Sequence, residues 1–324
     1  FVSFGGVPLK NAQVDSGGVA QHSAAEGLRA CAKAGVEFIN IGPVRGDAAA
    51  FLKAEWIQPR PSTDVALMLG LAHTLVSENL HNPDFMAKYC VGFDRFLPYL
   101  MGEADGQAKD ADWAAAIVDL EAGQIRALAR RMAAKRTLIN VAWSLQRTEH
   151  GEQPFWMVIT LAAILGQIGL PGGGFGLGYG SAAPLGRHMP AAPWATLNTG
   201  SNGVSDFIPL ARISDLLLNP GGRFNYNGKT MTYPDIRMVY WVGGNPFHHH
   251  QDLNRLLRAW QCPDTVVVHE PWWNATARHA DIVLPATTVL ERNDITGSFR
   301  DGSTLLANRK VMEPVGQSRH DHNI

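Results

Sequence analysis

The residues in this chain that could do chemistry stand directly after short apolar runs. Trp143, Ser144 and Arg147 follow the run 137–143. An aromatic ring, a hydroxyl and a cation at a strand end suit an anionic or oxide-bearing ligand. A packed Trp beside a solvated Arg accounts for the same residues equally well. His269 and Glu270 close the run 265–270. Acidic residues at such ends hydrogen-bond ribose or base edges, and they also serve as helix caps or solvated charges. The cluster Glu291, Arg292, Asn293 and Asp294 adjoins the apolar run 282–290, where a structural ion pair is the plainer reading.

Three consecutive histidines, His248 to His250, invite a metal reading. Adjacent loop residues cannot all ligate one ion comfortably, and zinc ligands are normally spaced. Polar ligand contacts from Asn245 and His249, just beyond a strand, fit the position better. The glycine run 172–178 invites a dinucleotide reading and fails its test. The fingerprint needs a third glycine where Leu177 or Tyr179 stands, and the run follows a helical segment rather than a strand. A Gly-rich loop that lets two backbones approach is expected instead. There is no Gly-x-Ser-x-Gly elbow, His-Glu-x-x-His pair or phosphate loop.

The elements that must hold these residues read as α/β. Residues 1–4 are a strand, 20–34 a helix stopped by Gly35, and 36–41 a second strand, which is a βαβ unit. Thr63 or Asp64 can cap a helix over 65–78. Residues 82–136 read as helices, 137–143 as a strand and 155–168 as a long apolar helix. Residues 181–206 have no period and are expected to be a long loop and domain junction. A helix over 207–218, strands over 236–242, 265–270 and 281–285, and a helix over 253–260 repeat the pattern. Two Rossmann-like domains with parallel or mixed sheets follow, at 1–195 and 205–324.

Composition narrows the class. The chain has 324 residues, 46% of them hydrophobic and 18% charged, with a net charge of −1. That excludes a disordered chain, and the absence of a basic excess argues against a nucleic-acid partner. No run is long enough for a membrane span. The best, 155–170, contains Gln167 and ends at Pro171. Three cysteines are too few and scattered for a disulfide framework or thiolate metal site. Gly and Pro together make about 16% of the chain and there are nine Trp, which suggests shaped loops around a large ligand. Residue 1 is Phe and no leader precedes it, so the chain is expected to be an interior piece of something longer.

Several long stretches, in order, resemble the dimethyl sulfoxide reductase family of molybdopterin oxidoreductases. They are Pro61-Ser-Thr-Asp-Val-Ala-Leu-Met-Leu-Gly70, His150-Gly-Glu-Gln153, Leu165-Gly-Gln-Ile-Gly-Leu-Pro-Gly-Gly-Gly-Phe-Gly176, Trp241-Val-Gly-Gly-Asn-Pro-Phe-His-His-His-Gln-Asp252 and Ala277-Arg-His-Ala-Asp-Ile-Val-Leu-Pro-Ala-Thr-Thr288 with Glu291-Arg-Asn-Asp294. The match is weakest over 181–206 and 220–235. The nearest group is the S- and N-oxide reductases acting on biotin or methionine sulfoxide, dimethyl sulfoxide or trimethylamine N-oxide.

The resemblance implies the central portion of that family's fold. It implies molybdenum held by bis(molybdopterin guanine dinucleotide), with one nucleotide arm on each domain. It also implies a sulfoxide or N-oxide substrate and an electron donor such as NADPH or a cytochrome. By the same likeness, Arg147 and Trp143 sit at the substrate funnel as catalytic residues. Lys10, Asn11, Pro61, Ser62, Thr63, Ser144, Asn245, His249, His269, Glu270, Arg292 and Asp321 join them as cofactor contacts. The metal's protein ligand is expected upstream of Phe1. Gly42 departs from the family, where a polar residue is common, so a ribose or guanine contact is expected to be missing or supplied elsewhere. Together with Gly5-Gly6 and Lys10-Asn11-Ala12-Gln13, it leans the likeness towards biotin or methionine sulfoxide reductases. A formate dehydrogenase or nitrate reductase type, and a nucleotide-binding piece without catalysis, are the other readings. The compartment, periplasmic or cytoplasmic in a bacterium, stays open.

Overall fold

Short runs of β-branched and aromatic residues build the first sheet. In the computed structural model, which describes residues 1–11, 23–178, 200–297 and 305–324, β1 is Val2–Phe4, β2 Ile39–Ile41, β3 Glu55–Ile57, β4 Leu138–Val141 and β5 Gly174–Leu177. All pair in parallel in the order β3-β2-β1-β4-β5. This is the doubly wound order, with a switch point between β1 and β4. The α/β parallel-sheet expectation therefore holds. The chain divides into two compact units, residues 1–192 with 297–305, and residues 193–296 with 306–324.

The helices of the first unit are α1 (Ala24–Lys33), α2 (Asp64–Ser77), α3 (Pro83–Tyr89), α4 (Phe93–Met101), α5 (Ala111–Val118), α6 (Ala122–Ala134) and α7 (Gln153–Ile164). Nine of the fourteen residues of α2 are buried, so it is a core helix rather than a surface amphipath. Leu67, Leu71 and Leu75 pack with Val2, Phe4, Ile41 and Val141 from alternate positions of the strands, and with Ile125 of α6 and Leu161 of α7. A smaller cluster of Val7, Leu28, Phe38 and Leu52 lies under α1.

The second unit has α8 (Ile213–Leu218), a hairpin of β6 (Arg223–Tyr226) and β7 (Lys229–Thr232), then β8 (Met238–Val242), α9 (Pro246–His249), α10 (Leu253–Trp260), β9 (Thr265–His269), β10 (Ile282–Leu284), β11 (Asp294–Gly297) and β12 (Leu305–Asn308). Strands β10-β9-β8 form a parallel sheet, and β11 pairs with β12. Leu217 of α8 and Leu256, Ala259 and Trp260 of α10 pack on Val266 and Val268.

Some elements differ from the sequence reading. The expected Gly-rich loop at 172–178 contains a strand, β5, paired to β4 from Leu138↔Gly174 to Val141↔Leu177. An edge strand needs ladder bonds on one side only, which Gly satisfies. β3 and the β6–β7 hairpin were not anticipated. The hairpin turns at Asn227-Gly228, both with positive φ, as a two-residue turn demands. The helix expected over 207–218 is regular only from Ile213, with a 3-10 turn at Leu210–Arg212 before it. Thr63 occupies the N-cap of α2 without capping it, because its hydroxyl donates to the Arg60 carbonyl at 2.6 Å. The start of the expected helix at 20–34, residues Ala12 and Gln13, and most of the loop at 181–206 lie outside the described residues. Among the described residues no helix is long and apolar enough to cross a membrane.

Helices α2 and α5 pack closely at Gly70, where an added Cβ would lie 2.7 Å from the Ala114 Cβ. Ala is the better helix former by about 1 kcal/mol, while overpacking costs roughly 1–3 kcal/mol. Gly70→Ala is therefore expected to destabilise, with a lower denaturant midpoint. A raised midpoint would mean the helices can separate freely.

Candidate functional site

Parallel pairing brings the loops after β1, β2, β3 and β4 to one edge of the first sheet. The loops after β1, β2 and β3 and the loop after β4 enclose a cavity of about 280 Å³. That is near the lower end of ligand-sized sites, roughly 300–1,000 Å³. Pro61, Ser62, Ser144 and Arg147 line it, so four of the residues named from sequence meet here. Ser62 has φ of +66°, a left-handed conformation rare for Ser, and its hydroxyl oxygen lies 3.3 Å from the Thr148 hydroxyl. The glycine at position 5 lets the β1 and β4 loops meet. A Cβ there would fall 2.5 Å from Leu145 Cδ1 and 2.9 Å from Ala142 Cβ.

The cavity's charges are unequally partnered. Arg60 is held by Asp119 through Nε and Nη2 at 3.0 and 2.9 Å. Arg147 has no ion-pair partner among the described residues. Asp47 is 3.8 Å from Lys10 Nζ. Asp64, at the first turn of α2, lines the wall without a side-chain partner among the described residues, and burial pushes its carboxyl above the usual carboxylate range. Sequence reasoning saw Asp64 only as a cap and missed Asp47. Both are brought to the cavity by tertiary packing.

The four other residues named for this unit do not line the cavity, and Lys10 only reaches its wall through Asp47. Thr63 faces back to Arg60. Asn11 is exposed and donates its N–H to the Pro8 carbonyl at 3.1 Å. Trp143 does not line the cavity. It stacks obliquely on Phe155, with centroids 6.2 Å apart, and fills the space over Gly178.

In the second unit, loops after β8, β9 and β10 carry the remaining candidates. Asn245 accepts a hydrogen bond from the buried Thr276 hydroxyl at 2.7 Å. His249 is exposed, and neighbouring His250 is held below the usual imidazole range by burial and by His249. Glu270 accepts from Asn274 Nδ2 at 2.6 Å and from the Trp272 N–H at 3.3 Å, so it closes its own loop.

His269, Arg292 and Asp321 belong to one network. Asp321 lies 3.3 Å from His269 Nδ1, which assigns the ring proton to Nδ1. His269 Nε2 then accepts from the Tyr240 hydroxyl at 2.5 Å. Arg292 donates to Asp321 at 3.3 Å, Asp294 at 2.9 Å and the Thr287 carbonyl at 2.7 Å. Tyr240 went unnoticed in the sequence, although its place two residues before the end of β8 puts it on the His269 face. Among the described residues no group of three or more His, Cys, Asp or Glu side chains could hold a metal ion.

Comparison with known proteins gives a consistent set. A family model described as molybdopterin oxidoreductase matches residues 4–324. A biotin sulfoxide reductase of Cereibacter sphaeroides is 48% identical over 323 residues, covering all of this chain and 43% of the relative. A dimethyl sulfoxide/trimethylamine N-oxide reductase of the same organism is 48% identical, covering 94% of this chain and 39% of its own length. A trimethylamine-N-oxide reductase of Haemophilus influenzae is 46% identical, covering 90% and 37%. The chain thus spans about two fifths of the length of these curated relatives. Among solved structures, acetylene hydratase from Pelobacter acetylenicus matches 99% of this chain and 45% of its own at a TM-score of 0.59 and 18% identity, a likeness of fold alone.

Glu291 is buried beside this network. Its carboxyl is held below the usual range by the Thr288 N–H and hydroxyl and by the Val315 N–H. A depressed folded value stabilises above the unfolded one, about 4.3, and the contribution is lost as pH falls through the folded value. Glu291→Gln is expected to lower the Tm at pH 7, with the gap to wild type closing as pH drops below about 4. A gap independent of pH would show that the charge is not what the three donors hold.

Proposed function

Since the chain belongs to the molybdopterin oxidoreductase family, we propose that its protein removes an oxygen atom from an S-oxide or N-oxide with molybdenum and bis(molybdopterin guanine dinucleotide). Residues 1–195 would hold one nucleotide arm and 205–324 the other. An external donor, NADPH, a cytochrome or similar, would return the electrons. The observation that carries the reading is the strand-end cavity of the first unit. It gathers Pro61, Ser62, Ser144 and Arg147 at the edge where doubly wound sheets take nucleotides.

The donor set fits a guanine nucleotide. Asp64 is a carboxylate on the cavity wall without a side-chain partner, and a guanine edge offers an amino group to it. Ser62 and Ser144 offer hydroxyls for ribose or phosphate oxygens, and Arg147 offers an unpaired cation. In the second unit Asn245, His249, His269, Glu270, Arg292 and Asp321 are the corresponding candidates. There the network already fixes the His269 tautomer and holds the Arg292 guanidinium.

When bound, the cofactor supplies the two-electron oxygen-transfer chemistry. The chain's part is to bind, orient and polarise. Arg147 would attract the negative end of an S–O or N–O bond through its guanidinium N–H groups. Trp143, packed on Phe155 and over Gly178 outside the cavity, would border the substrate funnel with its exposed ring edge. Lys10 would hold Asp47, and with it the loop after β2, in place.

Metal analysis of the full-length protein should find molybdenum, and reduced-dye oxidation should require a sulfoxide or N-oxide. Protein free of molybdenum and tungsten would sink the reading. Asp64→Asn gives a finer test. A raised folded carboxyl value destabilises above the unfolded value of about 3.9. The variant is therefore expected to melt higher than wild type at pH 7 and equally at low pH. Losing a charged acceptor costs about 1.5–3 kcal/mol, so its guanosine diphosphate affinity should fall roughly 10–100-fold. Unchanged affinity would remove Asp64 from the site.

A further inference from the structure

The strands of the first sheet place one residue each at a common level, one step before the cavity edge. In order across the sheet these are Trp56, Asn40, Ser3, Asn140 and Gly176. The residues on either side of that level in β1, β2 and β4 are apolar: Val2 and Phe4, Ile39 and Ile41, Ile139 and Val141. Yet the middle three of the row are polar and almost fully buried, with exposures of 2% for Asn40, 2% for Ser3 and 0% for Asn140. Burying such groups is unfavourable unless they find partners.

Their bonds run forward into two loops. Ser3 Oγ donates to the Gly6 carbonyl at 2.8 Å. Asn140 Nδ2 donates to Ser3 Oγ at 2.8 Å and lies 3.3 Å from the same Gly6 carbonyl. Trp56 Nε1 donates to the Gly42 carbonyl at 2.9 Å, and Asn40 Nδ2 reaches the Val44 carbonyl at 3.4 Å. Gly5, Gly42, Pro43 and Asp47 of these loops wall the cavity. The loops are also tied to each other, since the Val7 N–H donates to the Asp47 carbonyl at 2.8 Å.

We propose that this buried row is a positioning device, in which Ser3, Asn40, Trp56 and Asn140 fix the backbones of loops 5–7 and 42–47 at the cavity. The proposal rests on the reading of that cavity as a nucleotide site. It gives the row a purpose that packing does not. Asn40 Oδ1 is buried with no hydrogen-bond partner among the described residues, so the amide is retained at a cost in stability that an aliphatic side chain would avoid. A side chain kept for packing would not carry that cost. One kept to hold the Val44 carbonyl would. Gly42 fits the same logic: it offers no side chain to a ligand, and the sheet instead grips its carbonyl.

The test uses Ser3→Ala, Asn40→Leu and the hydroxyl-retaining Ser3→Thr in the full chain, with two readouts. Amide hydrogen exchange without nucleotide reports the loops, and calorimetric titration with guanosine diphosphate reports the site. Ser3→Ala should speed exchange at 5–7 at least tenfold, and Asn40→Leu at 42–47, with β1, β2 and β4 unchanged. Both should weaken nucleotide binding at least tenfold. Asn40→Leu should melt at or above the wild-type temperature, and Ser3→Thr should match wild type throughout. Unchanged loop exchange overturns the proposal. So does exchange that quickens equally in loops and strands with a lowered Tm, since that marks a merely structural role. Loosened loops in a chain whose wild type binds no guanosine diphosphate would support the positioning role and overturn the nucleotide reading alone.

Discussion

Parallel pairing of β1 with both β2 and β4 is the constraint from which the first unit follows. Parallel strands all end at the same edge, so their outgoing loops must share one surface. Because β1 is flanked by β2 on one side and β4 on the other, the chain winds outward in two directions, and the loops after β1 and β4 crowd at the switch point. The crowding is measurable at Gly5, where no Cβ fits beside Leu145 and Ala142. A side chain there would force apart the loops that carry Ser144 and Arg147. Gly5 and Gly6 are thus a consequence of this crowding, the first against the side chains of the β4 loop and the second against the Asp47 carbonyl.

Two carboxylates show how the same group is put to different uses. Glu291 receives three donors and is held in its charged form, the state expected of a structural cross-link. Asp64 receives no side-chain donor and is pushed towards its neutral form by burial at a cavity wall. A half-buried acid with no side-chain partner among the described residues is unfavourable for the folded chain, and such groups cluster where a ligand completes them. Arg292 and Arg147 make the same contrast among cations. One is saturated by Asp294, Asp321 and Thr287, and the other has no ion-pair partner among the described residues.

What could be read from the sequence follows from how much of each signal is local. Runs such as 236–242 and 265–270 declare strands by composition, and the structure contains β8 and β9 there. β5 does not declare itself, because Gly174 and Gly176 have no β propensity and the strand exists only through its pairing to β4. Asn227-Gly228 was a legible hairpin turn that lay in a stretch of weak likeness. Among the candidate residues that meet at the cavity, Ser144 and Arg147 were marked by their place after a strand, and Ser62 only by the family likeness. Asp64 and Tyr240 were not. Asp64 has the local signature of a helix start, and Tyr240 gains its role only from the parallel register that sets it beside His269.

The two units reach a common arrangement by different residues. In each, loops leave the ends of parallel strands, and polar side chains from the strands or from neighbouring loops hold them. In the first, Ser3 and Asn140 hold the Gly6 carbonyl. In the second, Thr276 holds Asn245, while Asp321 and Tyr240 hold the two nitrogens of His269. A loop fixed only by its own turn geometry could shift by an ångström at little cost. A loop held from beneath by a buried donor cannot move without leaving that donor unpaired, which is costly away from water. On the proposed reading, the strand-end residues would set how exactingly each loop meets a ligand, while the loop residues would set what the ligand is.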